Sequence, residues 1–90
     1  MNTDKFLNKK VLVRCQGAGV HFGTLLEKEG KELRLGNARR LWSWNGALSL
    51  SEVATKGVDI AKSKISESVE EIILPDHLEM IPLTSNIAEL

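Results

Sequence analysis

In a chain of 90 residues with two tryptophans, two histidines and one cysteine, chemistry can only gather in a few places. Trp42 and Trp44 follow directly on Arg39 and Arg40. Arginine beside an aromatic suits a nucleotide, because a guanidinium grips phosphate through paired N–H groups while an indole stacks on a base. Upstream, Arg14 precedes Ala18-Gly19-Val20-His21-Phe22-Gly23. Glycine there lets backbone N–H groups approach an anion, and His21 is placed to meet a phosphate or a base edge. No Lys-Ser/Thr follows at the Walker spacing, so the segment is not a P-loop. A turn shaped by Gly17 and Gly19, with His21 satisfied on a strand, accounts for the same residues without a ligand.

Catalysis finds little support. Ser49, Ser51 and Ser63 lack a G-x-S-x-G setting, and Cys15 with His21 is too sparse for a nucleophile–base pair. Glu70 and Glu71 are adjacent on an expected strand and point to opposite faces, which spoils them as paired carboxylates. One cysteine makes neither an internal disulfide nor a cysteine-based zinc site. The expectation is a protein that is not an enzyme and takes no metal or cofactor.

The elements that must position these residues are short. Val11 to Cys15 is expected as a first strand, Val20 to Glu27 as a second and Glu32 through about Trp44 as a third, in an antiparallel meander with a turn at Glu29-Gly30-Lys31. Ser49 with Glu52 three residues on is a capping box for a short helix that Gly57 terminates. Segment 58–68 is polar and mostly loop, with a short strand around Ile65. Ile72 to Leu74 and Leu78 to Ile81 make two late strands, broken by Pro75-Asp76 and stopped by Pro82. A short helix over Ser85 to Leu90 ends the chain. The predicted fold class is α+β: a single antiparallel β-rich domain over residues 1–90, with one short helix packed on the sheet.

Alternation along the third strand places Leu33, Leu35, Arg39 and Leu41 on a core face, and Arg34, Arg40, Trp42 and Trp44 on the face that ought to meet water. Two exposed tryptophans conflict with the large area an indole buries. The following helix, a second subunit or a ligand would each resolve that conflict, and one Trp under the helix with the other at an interface satisfies it too. Arg39, on the core parity, is expected to reach Glu70 or Glu71 across the sheet.

Hydrophobic residues at 42% and charged residues at 27% are ordinary for a globular domain. The longest apolar runs fall far below the roughly 20 residues of a membrane helix, and MNTDKFLNKK has no apolar stretch of signal-peptide length. A cytoplasmic location without membrane association is expected. The net charge of zero hides a division: residues 1–45 hold nine Lys/Arg against four acids, and residues 46–90 hold three against eight. Either the halves pair their charges across strands, or the basic half forms an anion site. The overall neutrality argues against broad nucleic-acid binding.

Arg14, the Ala18-Gly19-Val20-His21-Phe22-Gly23 segment, Asn37-Ala38-Arg39-Arg40-Leu41-Trp42-Ser43-Trp44, Gly46-Ala47 with Ser49-Leu50-Ser51, Gly57-Val58, Ile72-Ile73-Leu74 and Glu79-Met80-Ile81-Pro82 together resemble a family of small phage and prophage proteins. The match spans about residues 10–84. It is further similar to the anti-Thoeris sponge proteins, with which phages sequester the cyclic ADP-ribose signals of bacterial immunity. That resemblance implies tight, non-destructive binding of a nucleotide signal in the infected host's cytoplasm. It implies a diphosphate held by Arg14 and Arg40, a pocket shaped by the Ala18-Gly19 turn, and a homo-oligomer with pockets between subunits. Family members carry Cys-Lys-Phe where this chain has Ser63-Lys64-Ile65, so Ile65 replaces an aromatic lid over the base. Larger members continue into a basic C-terminal helix that this chain lacks; if that helix serves a second site for cyclic oligonucleotides, the resemblance implies that this protein is without it. The alternative function is a phage accessory module that uses the Trp face for protein binding or assembly.

Overall fold

A computed structural model describes residues 4–17 and 19–90. Six antiparallel strands carry the fold, with little helix. The strands are β1 (Lys10–Cys15), β2 (Gly19–Glu29), β3 (Glu32–Ser43), β4 (Lys64–Ile65), β5 (Val69–Leu74) and β6 (Glu79–Pro82), and among the described residues one α-helix, α1 (Leu50–Thr55), lies between β3 and β4. The expected terminal helix is a 3-10 turn over Asn86–Glu89, and a second such turn, Ile60–Lys62, precedes β4.

The meander forms as its alternation dictates, β1 pairing β2 and β2 pairing β3. β6 adds to the free edge of β1, while β4 and β5 share the free edge of β3. Along β1, Val11, Val13 and Cys15 enter one buried cluster and Leu12 enters another, so the sheet buries both faces. Ile72 on β5 and Met80 on β6 pack on the first cluster from opposite edges, and only residues 75–78 separate their strands. The two edges therefore cover one interior that holds Leu25, Leu33, Leu35 and Leu74. Each such leucine, fully buried, contributes about 1.5–3 kcal/mol.

The outer face is closed by α1 and the C-terminal turn around Leu12, Phe22, Leu41 and Val53. Six residues are too few for a free helix. Ser49 caps it by accepting from the Glu52 N–H at 3.3 Å, while the Glu52 carboxylate accepts from the Leu48 N–H at 3.1 Å, one residue before the position a standard capping box uses. Its last carbonyls are held from the C-terminal segment, where Ser85 donates to Val53 O at 2.6 Å and the Thr84 N–H to Ala54 O at 2.9 Å. Asn86 brackets the backbone of Val58, and a Cβ on Gly57, at φ 91°, would lie 2.0 Å from its Oδ1.

One irregularity overturns the expected faces of β3. Asn37 sits at φ 47° and the β2–β3 pairing shifts between Phe22↔Arg39 and Thr24↔Gly36. This bulge inserts one residue and reverses the parity that follows. Ala38 thus joins the cluster of Leu33 and Leu35, whereas Leu41 crosses to the α1 side. Gly23 faces the bulge, and a Cβ there would stand 2.7 Å from the Gly36 carbonyl oxygen.

Charge pairing across the two halves is real at two places. Arg14 meets Glu79, its register partner, at 3.0 Å, and Arg34 meets Glu71 at 2.8 Å. Glu71 therefore serves Arg34, and Arg39 is not the residue that reaches it.

Candidate functional site

β4 and β5 run along the same edge of β3 but leave a gap over residues 66–68. Leu41 pairs Ile65 on one side of the gap and Ala38 pairs Val69 on the other. The stretch between them, Arg39 and Arg40, meets Ser66 instead of a strand. Ser66 repairs the ladder with its side chain: its Oγ accepts from the Arg40 N–H at 2.7 Å, and its own N–H donates to the Arg40 carbonyl at 2.9 Å. Its carbonyl turns aside to accept from the Arg39 guanidinium at 3.1 Å. At this interruption opens a cavity of about 230 Å³, with Ala38, Val69 and Ile72 as apolar lining and Arg40, Trp42 and Glu67 among its polar and aromatic groups.

Arg40 and Trp42 alternate on β3 and so share a face, and His21 on β2 is the direct register partner of Arg40. The Arg40 guanidinium lies over the indole of Trp42, 4.6 Å from the ring centroid, and its Nε donates to His21 Nε2 at 3.3 Å. Among the described residues the ion pairs use Arg14 and Arg34, and none takes Arg39 or Arg40. The terminal N–H groups of Arg40 accordingly have no partner there and stay available to an anion. Trp42 is 63% exposed.

His21 is 2% exposed. Burial, and then the positive charge of Arg40, holds its pKa below the ordinary 6.5. Because arginine only donates, Nε2 must be the acceptor, which assigns the proton to Nδ1. That buried Nδ1 has no hydrogen-bond partner among the described residues.

Of the seven residues singled out in the sequence, the fold gathers three: His21, Arg40 and Trp42. Arg14 alternates with Val13 and Cys15 on β1 and so lies on the opposite face from His21, where it pairs with Glu79. Arg14 and Arg40 of one chain therefore do not share one diphosphate. Ile65 packs with Leu41 and Val53 on the α1 side and is no lid for this cavity. Gly19 sits opposite Cys15 at the end of the β1–β2 hairpin at φ 81°, and Ala18 lies outside the described residues. Trp44 lies just beyond the end of β3, where the alternation no longer holds, and packs in the α1-side cluster away from Trp42. Ser66, Glu67, Val69 and Ile72 were not legible as site residues, because the cavity arises from a missing stretch of strand.

Cys15 is buried, and its thiol is pushed up from 9.0 by burial and then by the charge of Asp76. Among the described residues no group of three His, Cys, Asp or Glu is placed to hold a metal ion. No described helix is long and apolar enough to cross a membrane.

No curated protein and no solved structure matches the chain. A family model covering residues 8–90 does match, and the chain belongs to that family, a domain of unknown function designated DUF6948.

Proposed function

We propose that this protein is a non-catalytic sponge for a nucleotide signal, a cyclic nucleotide or cyclic ADP-ribose, held at the cavity beside Arg40 and Trp42. One observation carries the reading. A guanidinium with no carboxylate partner is stacked on an exposed indole at an apolar-lined opening. The outer nitrogens of Arg40 suit phosphate, while the free face of Trp42 and the apolar lining suit a base. About 230 Å³ lies below the roughly 300–1,000 Å³ of most ligand pockets, so one chain houses only part of such a ligand. The remainder lies over Trp42 or against a second copy of the chain, which is why a homo-oligomer belongs to the proposal. A phage origin and an anti-defence role rest on the sequence resemblance alone.

The test is incubation of the purified protein with cyclic nucleotides and ADP-ribose isomers, followed by heat release. Recovery of bound, unchanged ligand supports the reading, and steady turnover or no retention of any member overturns it.

A second reading is favoured by β5, an edge strand whose Val69 and Ile73 are exposed at 48% and 61%. A strand with one free edge and exposed apolar side chains, Val69 at the cavity with Trp42 and Ile73 farther along opposite Arg34, suits an assembly or protein-binding role. Capture of a polypeptide together with failure to bind any nucleotide would favour it.

A further inference from the structure

We propose that His21 is a positioning residue: its neutral imidazole orients the Arg40 guanidinium for an anionic ligand without neutralising it. This rests on the anion-binding reading above. An arginine inside a folded domain is usually held by a carboxylate, and the chain does this for Arg14 and Arg34. Arg40 is treated differently. Its Nε donates to imidazole and its plane is laid on Trp42, so two contacts fix the group while neither cancels its charge. A carboxylate at position 21 would fix it equally well and would spend the charge internally. Tying Nε to His21 leaves the terminal nitrogens as the free fork, the edge that binds phosphate or sulfate bidentately.

The arrangement works only while Nε2 accepts. A protonated imidazole has no acceptor and would place a second cation against the guanidinium. The surroundings resist that state: β1 presents Val13 opposite His21 and Cys15 on the same face, and β5 presents Val69 and Ile72 around the cavity. The charged groups near it are Arg40 and Arg39 on β3 and Glu67 beyond β4. Protonation of His21, below the ordinary histidine range, breaks the hydrogen bond that holds Arg40 in place on Trp42, and the proposal requires that this lost placement loosen a bound anion by more than the added positive charge attracts it.

The wild-type protein provides a test that needs no variant. Nitrogen NMR of the His21 ring should show the Nδ1–H tautomer, and the Trp42 indole resonance should move as His21 titrates. An Nε2–H tautomer, or a Trp42 resonance indifferent to that titration, would overturn the proposal. Inorganic sulfate, whose charge is constant between about pH 8 and about pH 4, serves as the anion probe, read across the His21 titration that the NMR defines. Wild type should lose sulfate affinity by about tenfold or more across that range, His21→Gln should bind with little pH dependence, and His21→Glu should bind about tenfold or more weakly even at the upper end. Equal pH profiles in wild type and His21→Gln would also overturn it. If the tautomer and the Trp42 shift are as expected but sulfate does not bind at Arg40, the positioning role stands and the anion-binding function falls.

Discussion

Arg40 and Ser66 exchange two hydrogen bonds across the gap between β4 and β5, one through the Ser66 hydroxyl at 2.7 Å and one through its backbone N–H at 2.9 Å. A side chain thus stands in for a strand carbonyl at the point where the cavity opens. Ser66→Ala leaves the Arg40 N–H without its acceptor, which costs about 1–3 kcal/mol when the group stays dry. Thermal melts should show that loss, and an unchanged melting temperature would mean the hydroxyl is replaceable by water.

Binding should separate the two arginines that the sequence treats alike. Arg40→Ala is expected to lose about 1.5–3 kcal/mol of ligand binding, roughly ten- to a hundredfold, while Arg14→Ala binds as wild type. Arg14 and Glu79 are both about half exposed, so removing that pair changes stability by no more than about 1 kcal/mol. Calorimetric titration with melting controls decides between them. Equal losses would show that both arginines reach one ligand, through two copies of the chain.

Gly23→Ala should destabilise the domain by about 1–3 kcal/mol, because a Cβ there meets a backbone oxygen at 2.7 Å and no flexible side chain can give way. Chemical denaturation of the variant measures this directly. A wild-type midpoint would mean that the β2–β3 bulge relaxes freely.

His21 and Cys15 make opposite demands on pH. The pKa of His21 is lowered in the fold, so its contribution to stability is whole above about 6.5 and shrinks as the pH falls below it. The Cys15 pKa is raised above 9.0, so its contribution is whole below that value and shrinks at higher pH. Urea midpoints should fall on the acid side in wild type and less so in His21→Gln. Native Cys15 should react with a thiol reagent at neutral pH only as fast as the domain opens, and fast labelling without unfolding would contradict its burial.

Light scattering should give a mass above that of one chain, since Trp42 and Val69 leave apolar surface at an incomplete cavity and Ile73 leaves more farther along β5. A monodisperse monomer at micromolar concentration would remove the shared-pocket idea.

The meander and the Ser49 cap were legible in the sequence because their signals are local: alternating apolar residues, Gly30 in a two-residue turn and a serine three residues before Glu52. The faces of β3 were not. Its alternation is broken at Asn37, and the only trace is the Gly36-Asn37 pair inside an otherwise continuous strand, a pattern that permits a bulge without requiring one. Tertiary pairing with β2 decides it, and with it the face that Arg40 and Trp42 take, while Trp44 departs only because β3 ends at Ser43. The trio His21, Arg40 and Trp42 was still legible, since all three bear recognisable chemistry. The role of Ser66 was not, because it depends on which strand lies beside it.

The short link from β5 to β6 has a consequence for the order in which the domain can form. Strand β1 precedes the other described strands in synthesis, yet Val11 must wait for Pro82, and β3 must wait for residues 69–74. The same late stretch delivers Thr84 and Ser85 to the end of α1. The C-terminal quarter is thus a clasp that closes the interior, the sheet edges and the helix together. A chain halted before it would expose Val11, Val13 and Leu35 along two open edges, so folding waits for residues 69–85 and for slow, non-local pairing.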